Sequence, residues 1–497
     1  MPEPSRQNAR WDFGEVLKLS IPASMSGLNR VVTQFVDGWM VAGLGAATVT
    51  GQAMGGLVAF MPESFVRGIL GVVNTYVSQN LGAGRFKRCG QYTWAAMLIV
   101  LVSVAVFVPL AFFAPELFAL IGHESDVQPF EVLYFRYMVL SAPIALAIRV
   151  LEGFFYGVHR PGIVYGVSLL ASGANVFGNW VLIFGNLGFP ALGLQGAAIS
   201  SVLSWVLQLV ILAWTYLSWK FHQRYGTRLV RAVRLKQCGQ ILRIGLPAGG
   251  SVFLDIATWT IFMTVLIGRF GKLHMTAASN AMRYMRISFI PAIGIGIAAT
   301  VMVGKSIGRG GYEAARRHTH AALLVAMAYM ALCGLAFVLF RKPMIGVFVA
   351  NHESAYSPRE AAEIVRIGAN MLVFMALFQV ADAINIVLSG ALRGAGDTRW
   401  PMLATGFTSV VILVGGGSLL AWAWPGLQSM GPFAAAVATY IALAAALAWR
   451  FRSGAWRSIN LLHRAGEVTP MAPSPAPVAP PTMITIQTPQ QESDGGQ

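Results

Sequence analysis

The amino-acid sequence predicts an all-α membrane protein of about twelve transmembrane helices, arranged as two six-helix bundles related by a parallel internal repeat. Three observations support this prediction. Of the 497 residues, 56% are hydrophobic and only 11% are charged, whereas soluble globular proteins carry roughly 25% charged residues. Apolar stretches long enough to cross a bilayer recur along most of the chain. Finally, motifs of the first half return in the second half in the same order.

The apolar stretches divide the chain into five predicted segments. We expect a cytoplasmic N-terminus at residues 1–15, an N-lobe at 16–219, a cytoplasmic linker at 220–240, a C-lobe at 241–452 and a cytoplasmic tail at 453–497. From Met471 onward the tail is rich in Pro, Ser, Thr and Gln, a composition typical of disorder. Each lobe would contain six spans.

The net charge of +16 is distributed in a way that predicts the orientation of the protein. Basic residues collect in alternate connections, from Arg6 and Arg10 before the first span to Arg450 and Arg457 after the last. The exceptions are Arg269 with Lys272 and Arg341 with Lys342. This positive-inside pattern predicts an inner-membrane protein with both termini in the cytoplasm and the 114–131 connection outside. Nucleic-acid binding is not needed to explain the charge.

The internal repeat is carried by glycine and proline positions as well as by apolar residues. The matched segments are 17–23 with 242–248, 80–86 with 306–312, and 192–201 with 430–439. An even number of spans in each half gives both halves the same orientation, so the repeat is parallel. Pro22 and Pro247 occupy matched positions inside spans, where each is expected to kink its helix. The kinks would serve either conformational change or packing alone.

Several motifs, read in order over residues 14–452, carry a family resemblance. The first half contains Ser20-Ile-Pro22-Ala, Phe35-Val-Asp37-Gly-Trp-Met-Val-Ala-Gly43 and Val77-Ser-Gln79-Asn-Leu-Gly82-Ala-Gly84-Arg. The second half adds Gly245-Leu-Pro247, Val303-Gly304-Lys-Ser-Ile-Gly308, Phe378-Gln379-Val-Ala-Asp382-Ala and Gly390-Ala-Leu-Arg393-Gly-Ala-Gly396-Asp397-Thr-Arg399-Trp-Pro401. This series resembles the MATE (multidrug and toxic compound extrusion) family, nearest its NorM-like branch. The resemblance implies two bundles forming a V, and antiport of an organic substrate against H+ or Na+.

Charged residues inside the predicted spans need an explanation, because each costs at least about 2.5–3.5 kcal/mol near the bilayer centre. They are Arg30, Asp37, Glu63, Arg67, Arg149, Glu152, Asp255, Arg283, Arg286 and Asp382. Their signs balance, which favours internal pairing. Glu63 with Arg67 and Arg149 with Glu152 have helical i,i+4 and i,i+3 spacing, so each is predicted to be a pair within one helix.

The first candidate site lies in the N-lobe around Asp37. Asn175 and Asn179 are four residues apart and therefore share one helix face, where their amide oxygens suit a hard cation or a carboxyl group. The resemblance places Asp37, Asn175, Asn179 and Ser201 around an N-lobe cation or proton site. Some family members carry Asp at the position of Asn179, which weakens the case for Na+. Alternatively, the two asparagines only join helices.

The second candidate site lies in the C-lobe. The resemblance makes Asp255 and Asp382, with Gln379 one helical turn earlier, a cation or substrate site. Two carboxylates in one cavity raise each other's proton affinity, which suits proton exchange. Arg283 and Arg286 either neutralise these carboxylates or line the cavity and favour an anionic or zwitterionic substrate. Alternatively, each carboxylate is only neutralised by an arginine.

Together these features predict a secondary active exporter of small organic compounds, working by antiport with H+ or Na+. A flippase-like transporter of lipid-linked or polysaccharide intermediates is the alternative, favoured only by Arg283 and Arg286. We find no nucleophile elbow, metal motif or Walker sequence, so we do not expect an enzyme. A primary pump is excluded on the same ground, unless a partner chain supplies the nucleotide domain. We expect no cofactor beyond the transported H+ or Na+. The expected partners are the lipid bilayer and organic substrates, and the expected state is a monomer.

Overall fold

The computed structural model describes residues 6–122, 126–229, 235–350, 356–459 and 461–462, with side chains from residue 12 onward. Twelve long helices make up most of this part of the chain. In the first half they are α1 (Arg6–Ala42), α2 (Ala46–Gly82), α3 (Phe86–Phe112), α4 (Gln128–Gly157), α5 (Pro161–Phe184) and α6 (Leu194–Leu217). In the second half they are α7 (Leu235–Phe270), α8 (Lys272–Gly308), α9 (Tyr312–Leu339), α10 (Pro358–Ala395), α11 (Arg399–Ala423) and α12 (Met430–Arg452). Short helices at Ala114–Ile121, Trp219–Tyr225 and Arg341–Ala350 lie in the connections.

The all-α prediction is confirmed, and no β-strand occurs among the described residues. Eleven helices, α2 to α12, are long and apolar enough to cross a membrane. Helix α1 is equally long but more polar, and it is not among the eleven, so the predicted count of twelve spans is not confirmed. The tail predicted to be disordered from Met471 lies outside the described residues.

The packing of the helices reproduces the internal repeat. Helix α1 packs on α8, and its repeat counterpart α7 packs on α2, so the two lobes exchange equivalent contacts. Each lobe also has its own apolar core, which includes Phe135 and Phe154 in the N-lobe and Phe262, Phe378 and Phe433 in the C-lobe. The architecture is therefore two bundles joined through matched helices.

The two lobes are tied together at one end, which we call the closed end. There Thr75 Oγ1 donates a hydrogen bond to the Arg393 carbonyl (3.1 Å), and Gln79 Nε2 donates to the Gly394 carbonyl (2.8 Å). All four residues lie near the C-terminal ends of α2 and α10. The positive-inside pattern predicts that this end faces the cytoplasm.

Two glycines in matched positions of the repeat permit this close approach. A Cβ on Gly82 would collide with the carbonyl of Lys305, and a Cβ on Gly308 would collide with the carbonyl of Gln79. Each lobe therefore places the same glycine against the backbone of the other lobe. Any larger side chain at either position would force the closed end apart.

The helices run without interruption through the two matched prolines. Ser26 Oγ donates to the carbonyl of Pro22 (2.9 Å), and Ser251 Oγ donates to the carbonyl of Pro247 (3.1 Å). A serine that bonds back to the preceding turn commonly accompanies a helix bend. Both serines stand four residues after their proline, a shared spacing that was available in the sequence and was missed.

Candidate cation and substrate sites

The structure brings together the four residues predicted for the N-lobe site. Asn179 Nδ2 on α5 donates a hydrogen bond to the carboxylate of Asp37 on α1. Asn175 Nδ2 donates to Ser201 Oγ on α6 (3.4 Å), and Ser200 Oγ donates to the carbonyl of Asn175 (2.8 Å). The i,i+4 spacing of the asparagines thus directs both side chains into one site between α1, α5 and α6.

Two oxygens in this site have no hydrogen-bond partner among the described residues. The Oδ1 atoms of Asn175 and Asn179 are buried, and neither accepts a hydrogen bond from the described residues. The Asn179 amide is oriented by the Asp37 carboxylate, which accepts from Nδ2 and leaves Oδ1 unused. An unsatisfied buried acceptor costs about 1–3 kcal/mol. The donor set of one carboxylate and two free amide oxygens therefore fits a hard cation or a proton-bearing group.

A polar ladder that the sequence analysis missed continues from this site along α1 and α5. Asn29 Nδ2 donates to Ser168 O (3.0 Å) and to Ser172 Oγ (2.8 Å), and Thr33 Oγ1 donates to Ser172 Oγ (2.7 Å). Asn29, Thr33 and Asp37 are spaced four residues apart, so they share one face of α1. That spacing was a signal available in the sequence.

In the C-lobe the predicted carboxylates lie within electrostatic range of each other, but they differ in exposure. Asp382 on α10 is buried, whereas Asp255 on α7 is solvent-exposed. Neither carboxylate accepts a hydrogen bond from the described side chains. Gln379 Nε2 donates to Ser288 Oγ (2.9 Å), and the buried Gln379 Oε1 has no donor among the described residues. The pair can therefore accept a proton or a cation without first breaking a protein contact.

Three residues at the C-lobe site were missed by the sequence analysis. Tyr440 on α12 lies within electrostatic range of Asp255 and Asp382 and stacks on Phe378 at a centroid distance of 4.8 Å. Trp259 Nε1 donates to its hydroxyl (3.2 Å), and Asn385 Nδ2 donates to its carbonyl (3.2 Å). No motif or spacing within one helix indicates Tyr440, because its neighbours come from other helices.

The two predicted intrahelical ion pairs are present. Arg67 Nη2 lies 2.7 Å from Glu63 Oε1, and Arg149 Nη1 lies 3.5 Å from Glu152 Oε2. The second pair is not self-contained, however, because Arg30 Nη2 of α1 also lies 3.3 Å from Glu152 Oε1. Glu152 thus joins α1 to α4, a contact between residues far apart in the chain.

The structure does not bring Arg283 and Arg286 into contact with the C-lobe carboxylates. Both arginines are exposed on α8, and neither forms an ion pair with a carboxylate of the described chain. The guanidinium of Arg283 instead lies over the ring of Phe348, 5.2 Å from its centroid. Neutralisation of Asp255 and Asp382 by these arginines is therefore absent from this conformation.

Comparison with known proteins identifies the family. The family model MatE matches residues 22–181 and 247–416, one segment in each lobe. A probable multidrug resistance protein NorM from Mesorhizobium japonicum is 30% identical over 82% of this chain and 87% of its own length. The multidrug resistance protein NorM of Burkholderia vietnamiensis is 27% identical over 88% of this chain and 93% of its own length.

Solved structures share the fold at lower identity. A MOP superfamily transporter from Pyrococcus furiosus superposes with a TM-score of 0.80 at 20% identity, covering 90% of this chain and 97% of its own. A MATE protein in the straight conformation gives the same values. The two-lobe fold and the two family segments agree, and the chain belongs to the MatE family of membrane transporters, with NorM proteins among its relatives.

Proposed function

We propose that this protein exports small organic compounds across the inner membrane by antiport with H+ or Na+, with both termini in the cytoplasm. The observation that carries the proposal is the N-lobe site, where Asp37 and the free oxygens of Asn175 and Asn179 converge. Relatives named multidrug resistance proteins support organic compounds as the substrates. We propose a monomer with no cofactor other than the transported ion.

Helix α1 connects this site to the interface between the lobes. Asp37 lies near one end of α1, while Ser24 Oγ donates a hydrogen bond across the lobes to the carbonyl of Pro291 on α8 (2.9 Å). Binding of a proton or a cation to Asp37 changes the hydrogen bond that its carboxylate accepts from Asn179. A shift of α1 against α5 would then alter its contact with the C-lobe. This coupling would make the two lobe arrangements bind the ion with different affinity, which antiport requires.

The coupling test uses purified protein in proteoliposomes with pH and Na+ gradients imposed separately. Asp37→Asn preserves size but removes the charge, so we expect normal insertion and loss of gradient-driven efflux under both gradients. Glu116→Gln, which changes an exposed carboxylate in a connection, is the matched control and should transport like the parent. Gradient-driven efflux that survives Asp37→Asn would remove the N-lobe site from the mechanism.

The flippase-like alternative rested on Arg283 and Arg286. The family match favours the exporter, since it extends through both lobes. The position of the two arginines on an exposed face of α8 adds no support for a lipid-linked substrate.

A further inference from the structure

Four arginines and two glutamates gather where α1, α2, α4 and α10 approach one another. We call this group the arginine cluster; its members are Arg30, Glu63, Arg67, Arg149, Glu152 and Arg393. Glu63 holds Arg67 through both Nε (3.2 Å) and Nη2 (2.7 Å). Glu152 forms ion pairs with Arg30 at 3.3 Å and with Arg149 at 3.5 Å.

The cluster has more positive than negative charge. Four guanidinium groups face two carboxylates, so two positive charges have no counter-charge among the described residues. Arg393 makes no side-chain hydrogen bond or ion pair within the described chain, and it lies within electrostatic range of the like charge of Arg149. Arg149 is also repelled by Arg67 and Arg30. Such an excess of guanidinium groups attracts an anion, which would supply the missing negative charge.

The cluster lies between the two lobes, next to the closed end. The carbonyl of Arg393 accepts the hydrogen bond from Thr75 (3.1 Å) that ties α10 to α2. Arg67 stands eight residues before Thr75 on α2, about 12 Å farther from the closed end at 1.5 Å per residue. Arg149 Nη2 lies against the backbone of α2, 3.8 Å from where a Cβ on Gly71 would stand. The N-lobe and the C-lobe therefore both contribute arginine side chains to the cluster.

Solvent reaches this place. The side chains of Arg30, Arg67 and Arg149 are 50%, 25% and 19% exposed, whereas that of Glu152 is 3% exposed. The carboxylates thus lie behind the guanidinium groups and hold them in position. Guanidinium forks bind planar oxyanions with two parallel hydrogen bonds, which makes the exposed face of the cluster suited to a carboxylate.

We propose that the arginine cluster binds an oxyanion group of the transported compound, a carboxylate, so that the substrates include anionic and zwitterionic organic molecules. An oxyanion held between Arg149 of the N-lobe and Arg393 of the C-lobe replaces their repulsion with attraction to a shared partner. Substrate binding would then stabilise the arrangement in which the lobes meet at the closed end. Transport of such substrates rests on the exporter function proposed above, whereas their binding does not.

The test compares two dyes that differ at one group. A rhodamine bearing a free carboxylate and its methyl ester are titrated into purified protein in a zwitterionic detergent, without any gradient, and binding is followed by fluorescence anisotropy. The parent should bind the free acid more tightly than the ester. Arg393→Gln should weaken binding of the acid by about tenfold, the loss expected for one charge-assisted contact, and leave the ester unchanged.

Two further variants separate this role from a structural one. Arg393→Lys keeps the charge but loses the fork, so it should recover part of the affinity for the acid. Arg452→Gln removes an exposed arginine at the end of α12 and should bind both dyes like the parent. Because Arg393 has no counter-charge among the described residues, Arg393→Gln should not lower the melting temperature. An unchanged melting temperature excludes unfolding as the cause of weaker binding.

Other outcomes overturn the proposal. Equal affinity of the acid and the ester in the parent would show that the cluster does not recognise a carboxylate. If added phosphatidylglycerol binds in an Arg393-dependent manner while the dyes do not, the oxyanion is a lipid phosphate rather than a substrate carboxylate. Dye binding that follows these predictions in a protein without gradient-driven efflux would contradict the exporter function but not the binding site.

Discussion

Lys305 Nζ on α8 lies 3.3 Å from Glu15 Oε1 on α1, and this ion pair joins the C-lobe to the N-lobe at the closed end. Two histidines flank it. His159 Nδ1 lies 3.8 Å from Glu15 Oε1, and His318 Nε2 lies 3.0 Å from Asp12 Oδ1. Opening the lobes at this end has to separate the Lys305–Glu15 pair. The Lys305–Glu15 pair therefore helps to hold the two lobes together at the closed end.

Glu15→Gln should shift the protein toward opening of the closed end. Since both side chains are partly exposed, the pair contributes at most about 1 kcal/mol, so we expect a population change of about twofold to fivefold. Spin labels at Lys87 and Arg309, both exposed near the closed end on opposite lobes, report the distance distribution. Glu313→Gln breaks a pair with Arg457 that does not join the two lobes, and it is the control. Identical distance distributions for Glu15→Gln and the parent would show that the Lys305–Glu15 pair does not hold the two lobes together.

The stability of the protein should depend on His159 in mildly acidic solution. Burial first, and the positive charge of Lys305 second, lower the pKa of His159 from 6.5 to about 3. Glu15 opposes this shift, whereas Arg309 and His318 add to it. The unfolded chain takes up the proton near pH 6.5 and the folded chain only near pH 3. Its contribution is therefore complete above pH 6.5 and is lost as the pH falls toward 3.

A substitution at His159 isolates this contribution. His159 has a φ of 60°, and Asn tolerates this left-handed conformation while lacking a titratable group. Across the acidic range, His159→Asn should flatten the pH dependence of the free energy of unfolding by up to about 1.4 kcal/mol per pH unit. Melting curves of parent and variant in detergent, recorded from neutral to acidic pH, give the difference. Parallel curves would show that His159 does not stay neutral in the folded protein.

A second carboxylate in the N-lobe site should strengthen Na+ coupling. Asn179→Asp adds a negative charge beside Asp37 and keeps the oxygen that the asparagine supplies without a partner. We expect the Na+ concentration for half-maximal efflux to fall by about tenfold or more, because charge count governs the affinity of hard-cation sites. Asn186→Asp, in the exposed connection after α5, should leave the Na+ dependence unchanged. If efflux by Asn179→Asp depends on pH as strongly as efflux by the parent and does not depend on Na+, the site binds protons rather than Na+.

Substitution of Arg283 and Arg286 should affect stability much less than substitution of Glu152. Replacing both Arg283 and Arg286 with Ala should change the free energy of unfolding by no more than about 0.5 kcal/mol, because both side chains are exposed and neither is paired with a carboxylate of the described residues. Glu152→Ala removes the partner of Arg30 and Arg149 and should cost about 1–3 kcal/mol, because the carboxylate is buried while both guanidinium groups are partly exposed. Thermal melts measure both. A large loss for the arginine pair would indicate that it meets the C-lobe carboxylates in another conformation.

The orientation can be tested by labelling with an impermeant thiol reagent in whole cells. The connection containing Ser125 and Asp126 is predicted to be outside; Ser125 lies beyond the described residues, but Asp126 is exposed. A cysteine at Asp126 should react. Gly226, in the predicted cytoplasmic linker, is buried with a φ of 63°, so the exposed neighbour Gln223 is the better position and should stay unlabelled. The reverse pattern would invert the topology.

The parts of the sites that depend on spacing within one helix could be predicted from the sequence. The pairing of Glu63 with Arg67 and the shared face of Asn175 and Asn179 follow from helical geometry alone. The bond from Arg30 to Glu152 spans 122 positions, and no local pattern predicts it. The same limit explains why Tyr440 was missed beside Asp382.

Two irregular segments of the helical backbone could not be predicted from the sequence either. Helix α7 widens into a π-helix at Phe262–Ile267, and α11 does so at Thr408–Gly416. Both segments are largely apolar and contain no proline, although Thr264 and Thr408 each donate a hydrogen bond to a carbonyl of the preceding turn. Such turns depend on packing between helices, and these two segments contact each other.

The reciprocal glycine contact has a consequence for how the two halves recognise each other. Gly82 meets the backbone at Lys305, and Gly308 meets the backbone at Gln79, so one surface patch is used twice in opposite roles. A patch that complements its own copy is the defining property of an isologous dimer interface. The closed end is therefore built like the interface of a homodimer whose two subunits have become one chain. Two halves produced as separate polypeptides already carry the surface they need to assemble.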